Sequence, residues 1–465
     1  MNIKKKDIAW NYLGIIMAMG SNFILLPFLL NYLDSELLGL WYVFLSVGSL
    51  VNLFDFGFSP TFARNIAYAW SGAKKLRKKN ADFIENTEPN FKLLKIVVKT
   101  CKYIYLLISI IALILLLTIG TYYISNISSE LETLNHYIAW FIYSIAVFLN
   151  LFFGYNISLL RGVGAIEEMN KATIISRFIQ IVFAILLLYL GYGIIGVSIA
   201  YLIKGLSFRL IASYSFNNYN NIGEKLRSHG GNIEKKQIIK IIKIVWPNTW
   251  RDGLVSLSNY LSNQATVIIS PMFLTLTETG IYSISLQIVI AIATISGALY
   301  TAYQPALQSA YIEKNKDKSL RLMSTAMTGY IMTFLLGVLG TIYIGLPVLE
   351  FLKPDTVFSI PILIGMSIYM FLLKYHSYYA SYISNTNEVP YLKSFIISSV
   401  MGIIIVLSLF ELTNLGVWSL IIGPALVQLI YNNWFWPLKV MKSLNTNPFE
   451  MFSIGLKNIK EIIRV

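Results

Sequence analysis

Apolar runs long enough to cross a bilayer constrain this chain more than any other feature. A hydrocarbon core of about 30 Å needs roughly 20 apolar residues per helical crossing. Twelve such stretches follow one another near 8–30, 37–59, 96–121, 136–160, 172–191, 193–213, 244–271, 280–305, 324–348, 359–383, 392–412 and 415–437. Each must be helical in lipid, because no water is there to satisfy an open backbone amide. Composition agrees: 56% of the 465 residues are hydrophobic and 13% charged, with mean hydropathy +0.63, far from an ordinary soluble domain. The expected class is an all-α integral membrane protein with no soluble domain between spans. The first run follows Lys4, Lys5 and Lys6 and continues to Leu30 without a small-residue cleavage site, so it reads as a retained span. Cys101 is the single cysteine, and no Cys/His cluster has metal-ligand spacing, so neither a disulfide nor a metal nor a redox cofactor is expected.

Orientation follows from the basic residues, which accumulate on cytoplasmic loops. With spans alternating, 29 of the 37 Lys and Arg fall on one side and only Lys353 on the other. Seven lie within spans or at their ends: Lys99, Lys102, Arg177, Lys204, Arg209, Arg251 and Lys374. Both termini are therefore expected in the cytoplasm, with the protein in the cytoplasmic (inner) membrane. The formal charge of +14 is then mostly a topology signal with some attraction to anionic lipid, and nucleic acid is not an expected partner.

The polar stretch 216–236 divides the chain almost in half, and the second half echoes the first. AWNYLG at 9–14 returns as VWPNTW at 245–250, Pro27 as Pro271, GLW at 39–41 as GIY at 280–282, Pro60 as Pro305, and GVS at 196–198 as GVW at 416–418. The expected organisation is a six-helix lobe over 1–213, a cytoplasmic linker over 214–243, a second six-helix lobe over 244–437 and a cytoplasmic tail over 438–465. Six crossings begin and end on one side, so the lobes are expected to be parallel repeats about an axis along the membrane normal.

Charges inside the spans come next. Asp55 lies about 27 Å along span two, near the cytoplasmic boundary, where Gly57 and Pro60 weaken the helix, and Arg64 follows at the inner mouth. Lys204 is about 16 Å into span six, close to the midplane, where an unpaired cation costs at least ~2.5 kcal/mol. Arg251 and Asp252 are about 10 Å into span seven. Arg177 occupies the first turns of span five, Arg209 the inner part of span six, and Lys374 and His376 the inner end of span ten. Asn248, Asp252, Asn259, Ser262, Asn263 and Thr266 form one stripe of span seven, and Gln287 joins them from span eight.

D-F-G-F at 55–58 followed by Arg64, W-N-Y-L-G at 10–14 and R-G-V-G-A at 161–165, set in twelve spans, resemble the Wzx-type flippases of O-antigen and capsule repeat units. These belong to the polysaccharide transporter family, in the superfamily that also contains the MATE multidrug exporters. The resemblance implies translocation of a polyprenyl-diphosphate-linked oligosaccharide from the cytoplasmic to the outer leaflet by two rocking lobes. It also implies glycan polymerase and assembly proteins as partners. Within that frame Arg64, Arg177, Lys204, Arg209, Arg251 and Lys374 outnumber Asp55 and Asp252, and such a cationic bias suits a diphosphate headgroup. For Arg177, Arg209 and Lys374, snorkelling to the interface is the plainer alternative. Asn248, Asn259, Asn263 and Gln287 are candidates for a polar lumen, or alternatively for interhelical hydrogen bonds. Asp55, Asp252 and His376 are candidates for coupling to sodium or protons, although Asp55 also suits a helix-end cap and His376 a simple hydrogen-bonding role.

The main rival is a MATE-like, ion-coupled exporter of cationic drugs, which calls for acidic or aromatic cavities rather than a basic excess. A membrane-embedded glycan polymerase or ligase is the second. Its external chamber would have to be built from the short loop around Glu130, Glu132 and His136, which offers too few groups for chemistry. No G-x-x-x-x-G-K-[ST] phosphate loop is present. A non-enzymatic transporter is the expectation.

Overall fold

The computed structural model describes residues 17, 20, 21, 24–55, 57–76, 81, 82, 88–129, 131, 134–228, 233–312, 315–352, 358–383 and 390–464. They are almost entirely helical. Their chain contacts divide into two compact units, Met1–Tyr260 and Leu261–Val465.

Nine helical stretches among the described residues have the length and composition to cross a membrane: Ser35–Asp55, Phe91–Ile127, Asn135–Val163, Ile166–Tyr189, Gly193–Ser228, Leu276–Ser296, Lys316–Phe351, Ile360–Ile383 and Leu392–Leu412. Each corresponds to one of the twelve expected spans. Of the other three, the span near 8–30 lies mostly outside the described residues. That near 244–271 falls in a helix whose polar stripe lowers its hydropathy. That near 415–437 is interrupted at Tyr431, where φ −139 and ψ −59 leave the helical region.

In the first unit, α1 (Ser35–Val51) ends in a 3₁₀ turn over Asn52–Asp55, and α2 (Phe58–Trp70) starts after Gly57 at φ 73. The left-handed conformation at Gly57 is open to glycine and costly for other residues. Pro60 sits in the first turn of α2, where its missing N–H has no helical partner to lose. Span two is therefore broken at Gly57. Strands β1 (Lys75–Leu76) and β2 (Ala81–Asp82) pair antiparallel beyond α2. Then α3 (Phe91–Leu115) continues through a π turn into α4 (Thr121–Ile127), followed by α5 (Asn135–Phe153), α6 (Tyr155–Val163), α7 (Ile166–Tyr189) and α8 (Gly193–Asn218).

The polar stretch 216–236, expected as a linker, is largely helical where described. A short turn over Tyr219–Asn221 leads into α9 (Ile222–Ser228), with Asn220 and Asn221 at positive φ, a conformation asparagine tolerates. Full burial of Ile222 gives this segment a reason to pack rather than stay extended. Helix α10 (Lys235–Asn263) carries the chain to the unit boundary.

The second unit runs α11 (Ala265–Ile269), α12 (Leu276–Ser296), α13 (Ala298–Ile312), α14 (Lys316–Gly340), α15 (Leu346–Leu352), α16 (Ile360–Ile383), α17 (Leu392–Leu412), α18 (Ser419–Ile430), α19 (Asn432–Ser443) and α20 (Pro448–Arg464). Its third long helix repeats that of the first unit. Asn90 and Asn315 cap α3 and α14 with nearly the same backbone angles, and each side chain accepts the N–H three residues on, from Leu93 and Lys318, at 3.0 Å. Both helices then pass through a five-residue π turn, Leu116–Gly120 and Thr341–Gly345, into a seven-residue helix. Gly193 and Gly416, at φ 49 and 53, mark a second correspondence. The internal duplication is thus visible in backbone geometry within each unit.

Cores are aromatic. In the first unit Trp41 and Phe44 of α1 meet Trp140 and Tyr143 of α5, with Tyr143 also 5.1 Å from Tyr201 of α8, ring centre to ring centre. Gly48 makes room: a Cβ there would overlap the Tyr143 hydroxyl. In the second unit Tyr330 of α14 packs on Phe371 and Tyr378 of α16. Exposed aliphatic faces, such as Leu107, Ile110, Ile111 and Ile114 on α3 and Leu335, Leu336 and Leu339 on α14, suit contact with lipid tails.

Candidate functional site

Within the first unit, α7 and α8 bring two of the expected basic residues together. Arg177 is half-buried, and its Nη1 donates to Ser21 Oγ at 2.9 Å, while its buried Nε has no hydrogen-bond partner among the described residues. Lys204, three residues after Tyr201 on α8, is also half-buried and places Nζ 4.3 Å from the centre of the Tyr201 ring. Spacing of i, i+3 puts both side chains on one face of the helix. Arg177 and Lys204 lie within electrostatic range of each other, and neither is ion-paired to a carboxylate among the described residues. Gln180, one turn beyond Arg177, is 6% exposed and its Oε1 is likewise unpartnered. Two cations within electrostatic range in poorly solvated surroundings repel, and an anion bound by both relieves that repulsion.

A second group surrounds the break in span two. Asp55 accepts a hydrogen bond from the Tyr105 hydroxyl of α3 at 2.5 Å and another from the Ser59 backbone N–H. It therefore fastens the start of α2 to α3. On α3 and α8, Lys102 Nζ is 5.3 Å from the Tyr155 ring centre and the Arg209 guanidinium 4.7 Å from that of Phe153. Arg209 is exposed, as is Arg64 on α2. Tyr105→Phe is expected to cost about 1–3 kcal/mol by removing a partner of a half-buried carboxylate. That cost should be read as earlier thermal unfolding and be partly reversed by adding Asp55→Asn. Unchanged unfolding of Tyr105→Phe would count against this bond.

In the second unit Lys374 is half-buried on α16. His376 is 1% exposed, and its Nδ1 faces two acceptors, Leu372 O at 3.0 Å and Asn433 Oδ1 at 2.7 Å, so Nδ1 carries a hydrogen. Gln287 is half-buried on α12. Asn259 is exposed and Asn263 half-buried on the last turns of α10. The helix is continuous through Asn248, Arg251 and Asp252, whose side chains lie outside the described residues, as does W-N-Y-L-G at 10–14. Tyr105, Tyr201 and Ser21 complete these groups without having been singled out from sequence, and Lys102, known there only as a span cation, joins the second of them. Tyr201 was legible as the i−3 neighbour of Lys204. Tyr105 was not, since it meets Asp55 across 50 positions of chain.

The R-G-V-G-A segment has a packing explanation. Gly164, at φ 83, ends α6, and a Cβ on Gly162 would meet Ile66 Cγ2 at 2.5 Å and the Ala63 carbonyl oxygen at 2.8 Å. Helices α2 and α6 therefore touch through backbone, as small residues permit in membrane proteins.

No protein-family model and no curated protein matches the chain. Solved structures do. An inward-facing multidrug resistance MATE family transporter of the MOP superfamily superposes with TM-score 0.66 at 14% identity, covering 95% of this chain and 99% of its own. The outward-facing conformation of a MATE family transporter gives 0.53 at 15% identity over 96% and 98%. A MOP superfamily transporter from Pyrococcus furiosus, described as having a binding pocket of reverse polarity that suggests a different function, gives 0.54 at 16% identity over 96% and 98%. The chain has the MATE-like fold and is a multi-pass membrane protein, and these neighbours are transporters rather than enzymes.

Proposed function

We propose that this protein is a flippase that carries a polyprenyl-diphosphate-linked oligosaccharide from the cytoplasmic to the outer leaflet by alternating access, for assembly of a surface polysaccharide of the O-antigen or capsule kind. The observation that carries this reading is the Arg177–Lys204 pair: two span cations within electrostatic range of each other, with no carboxylate paired to either among the described residues. Such a pair rewards a ligand with two negative charges, and a diphosphate supplies them on adjacent phosphates. The positive-inside bias sets the membrane orientation, with both termini in the cytoplasm, so the cationic bias of the span ends faces the leaflet where lipid-linked precursors are made. Glycan polymerase and assembly proteins are the partners this role implies, and sodium or protons the coupling ions.

A cationic-drug exporter shares the fold and is the reading to defeat. Its cargo would meet Arg177 and Lys204 as like charges. That one superfamily member is described with a pocket of reversed polarity makes a change of cargo charge compatible with this architecture. Cells lacking their own flippase should regain surface glycan when this chain is expressed, with no change in resistance to cationic dyes. Dye efflux without glycan export would support the exporter instead.

A further inference from the structure

A cleft of about 860 Å³ opens in the second unit between α13, the first turns of α14 and the end of α20. That volume lies within the range of roughly 300–1,000 Å³ typical of organic-ligand sites. Its α20 wall is held firmly. Gly455 approaches α14 so closely that a Cβ would overlap Thr328 and the Ser324 carbonyl, and Asn458 Nδ2 donates to Thr325 Oγ1 at 2.9 Å. Among the described lining residues the charges balance, with Lys318 and Arg321 against Asp317 and Glu461. Those four charges favour neither an anion nor a cation. What remains is a dense set of donors and acceptors, two carboxylates, a guanidinium and the amides of Asn315 and Asn458, beside the ring of Tyr303. Planar polar groups next to one aromatic face suit a neutral polyhydroxylated ligand, whose hydroxyls both donate and accept and whose C–H faces pack on a ring.

We infer that this cleft binds the sugar residues of the cargo, separately from the Arg177–Lys204 pair that takes the diphosphate. The inference rests on the flippase reading and adds to it a glycan subsite at the end of the second unit that the positive charge assigns to the cytoplasm. The freed glycan is then a ligand in its own right, bound in the second unit without the anionic head.

Two probes separate the claims in the purified full-length protein: the intact lipid-linked oligosaccharide fraction of the cells that express it, and the glycan freed from that fraction by mild acid. Hydroxyl-radical footprinting with the freed glycan should protect Tyr303 and the 452–461 segment. Arg321→Ala with Glu461→Ala, both at exposed positions, should weaken freed-glycan binding by about tenfold or more while Lys204→Met leaves it unchanged. If the intact material protects α7 and α8 but the freed glycan leaves the cleft unprotected, the subsite falls and the flippase reading stands. If neither probe binds, both fall. Displacement of bound glycan by vesicles of anionic phospholipid would reassign the cleft to a lipid headgroup and overturn the inference.

Discussion

Lys204→Met is expected to lower glycan export by about 10- to 150-fold while leaving the protein at normal abundance and at least as stable as before. The range follows from about 1.5–3 kcal/mol for a hydrogen bond to a charged group, at 1.36 kcal/mol per tenfold. Methionine keeps an unbranched apolar stem against Tyr201 and removes only the charge, so packing survives the change. Taking a repelling, poorly solvated cation away from Arg177 relieves a desolvation cost, so thermal stability should hold or rise. Loss of transport with gain of stability is a combination that a merely structural lysine does not produce. Full export by Lys204→Met, alone and with Arg177→Met, would remove this pair from the cargo path.

Gly162→Leu is expected to damage folding severely. Even the Cβ would lie 2.5 Å from Ile66 Cγ2, 2.6 Å from Ile66 Cβ and 2.8 Å from the Ala63 carbonyl oxygen. The carbonyl belongs to the backbone of α2, so no rotamer change relieves the overlap and the helix itself must move. Overpacking typically costs about 1–3 kcal/mol, and leucine here belongs at or above the top of that range. Since total stability is about 5–15 kcal/mol, the variant should accumulate poorly and unfold early, with Gly162→Ala intermediate. Equal melting of wild type and Gly162→Leu would contradict the backbone contact between α2 and α6.

Sequence made the spans legible because hydrophobic length is imposed by the bilayer itself, and nine of the twelve correspond to membrane-length helices among the described residues. Interruptions were harder. Gly57 and Pro60 marked a weakness, but the 3₁₀ turn at Asn52–Asp55 and the break at Tyr431 depend on packing. The repeat was read from proline and glycine matches, with GVS at 196–198 set against GVW at 416–418. In the backbone it is Gly193 that shares positive φ with Gly416, because a glycine's meaning lies in its angles. Asn90 and Asn315 were better markers, since a cap followed by an apolar helix is written locally. For the site, Lys204 was found by depth alone, and burial is a cost that sequence can estimate. Its proximity to Arg177, and the bond from Tyr105 to Asp55, join distant segments through tertiary packing that no local pattern encodes.

The most direct test is equilibrium binding of sugar-free polyprenyl diphosphate to the purified protein in neutral-lipid discs, alongside a cationic efflux dye. Saturable diphosphate binding that Lys204→Met weakens by about tenfold or more, with no competition from the dye, is the predicted result. Tight dye binding that Lys204→Met strengthens, with the diphosphate unbound, would contradict an anionic cargo.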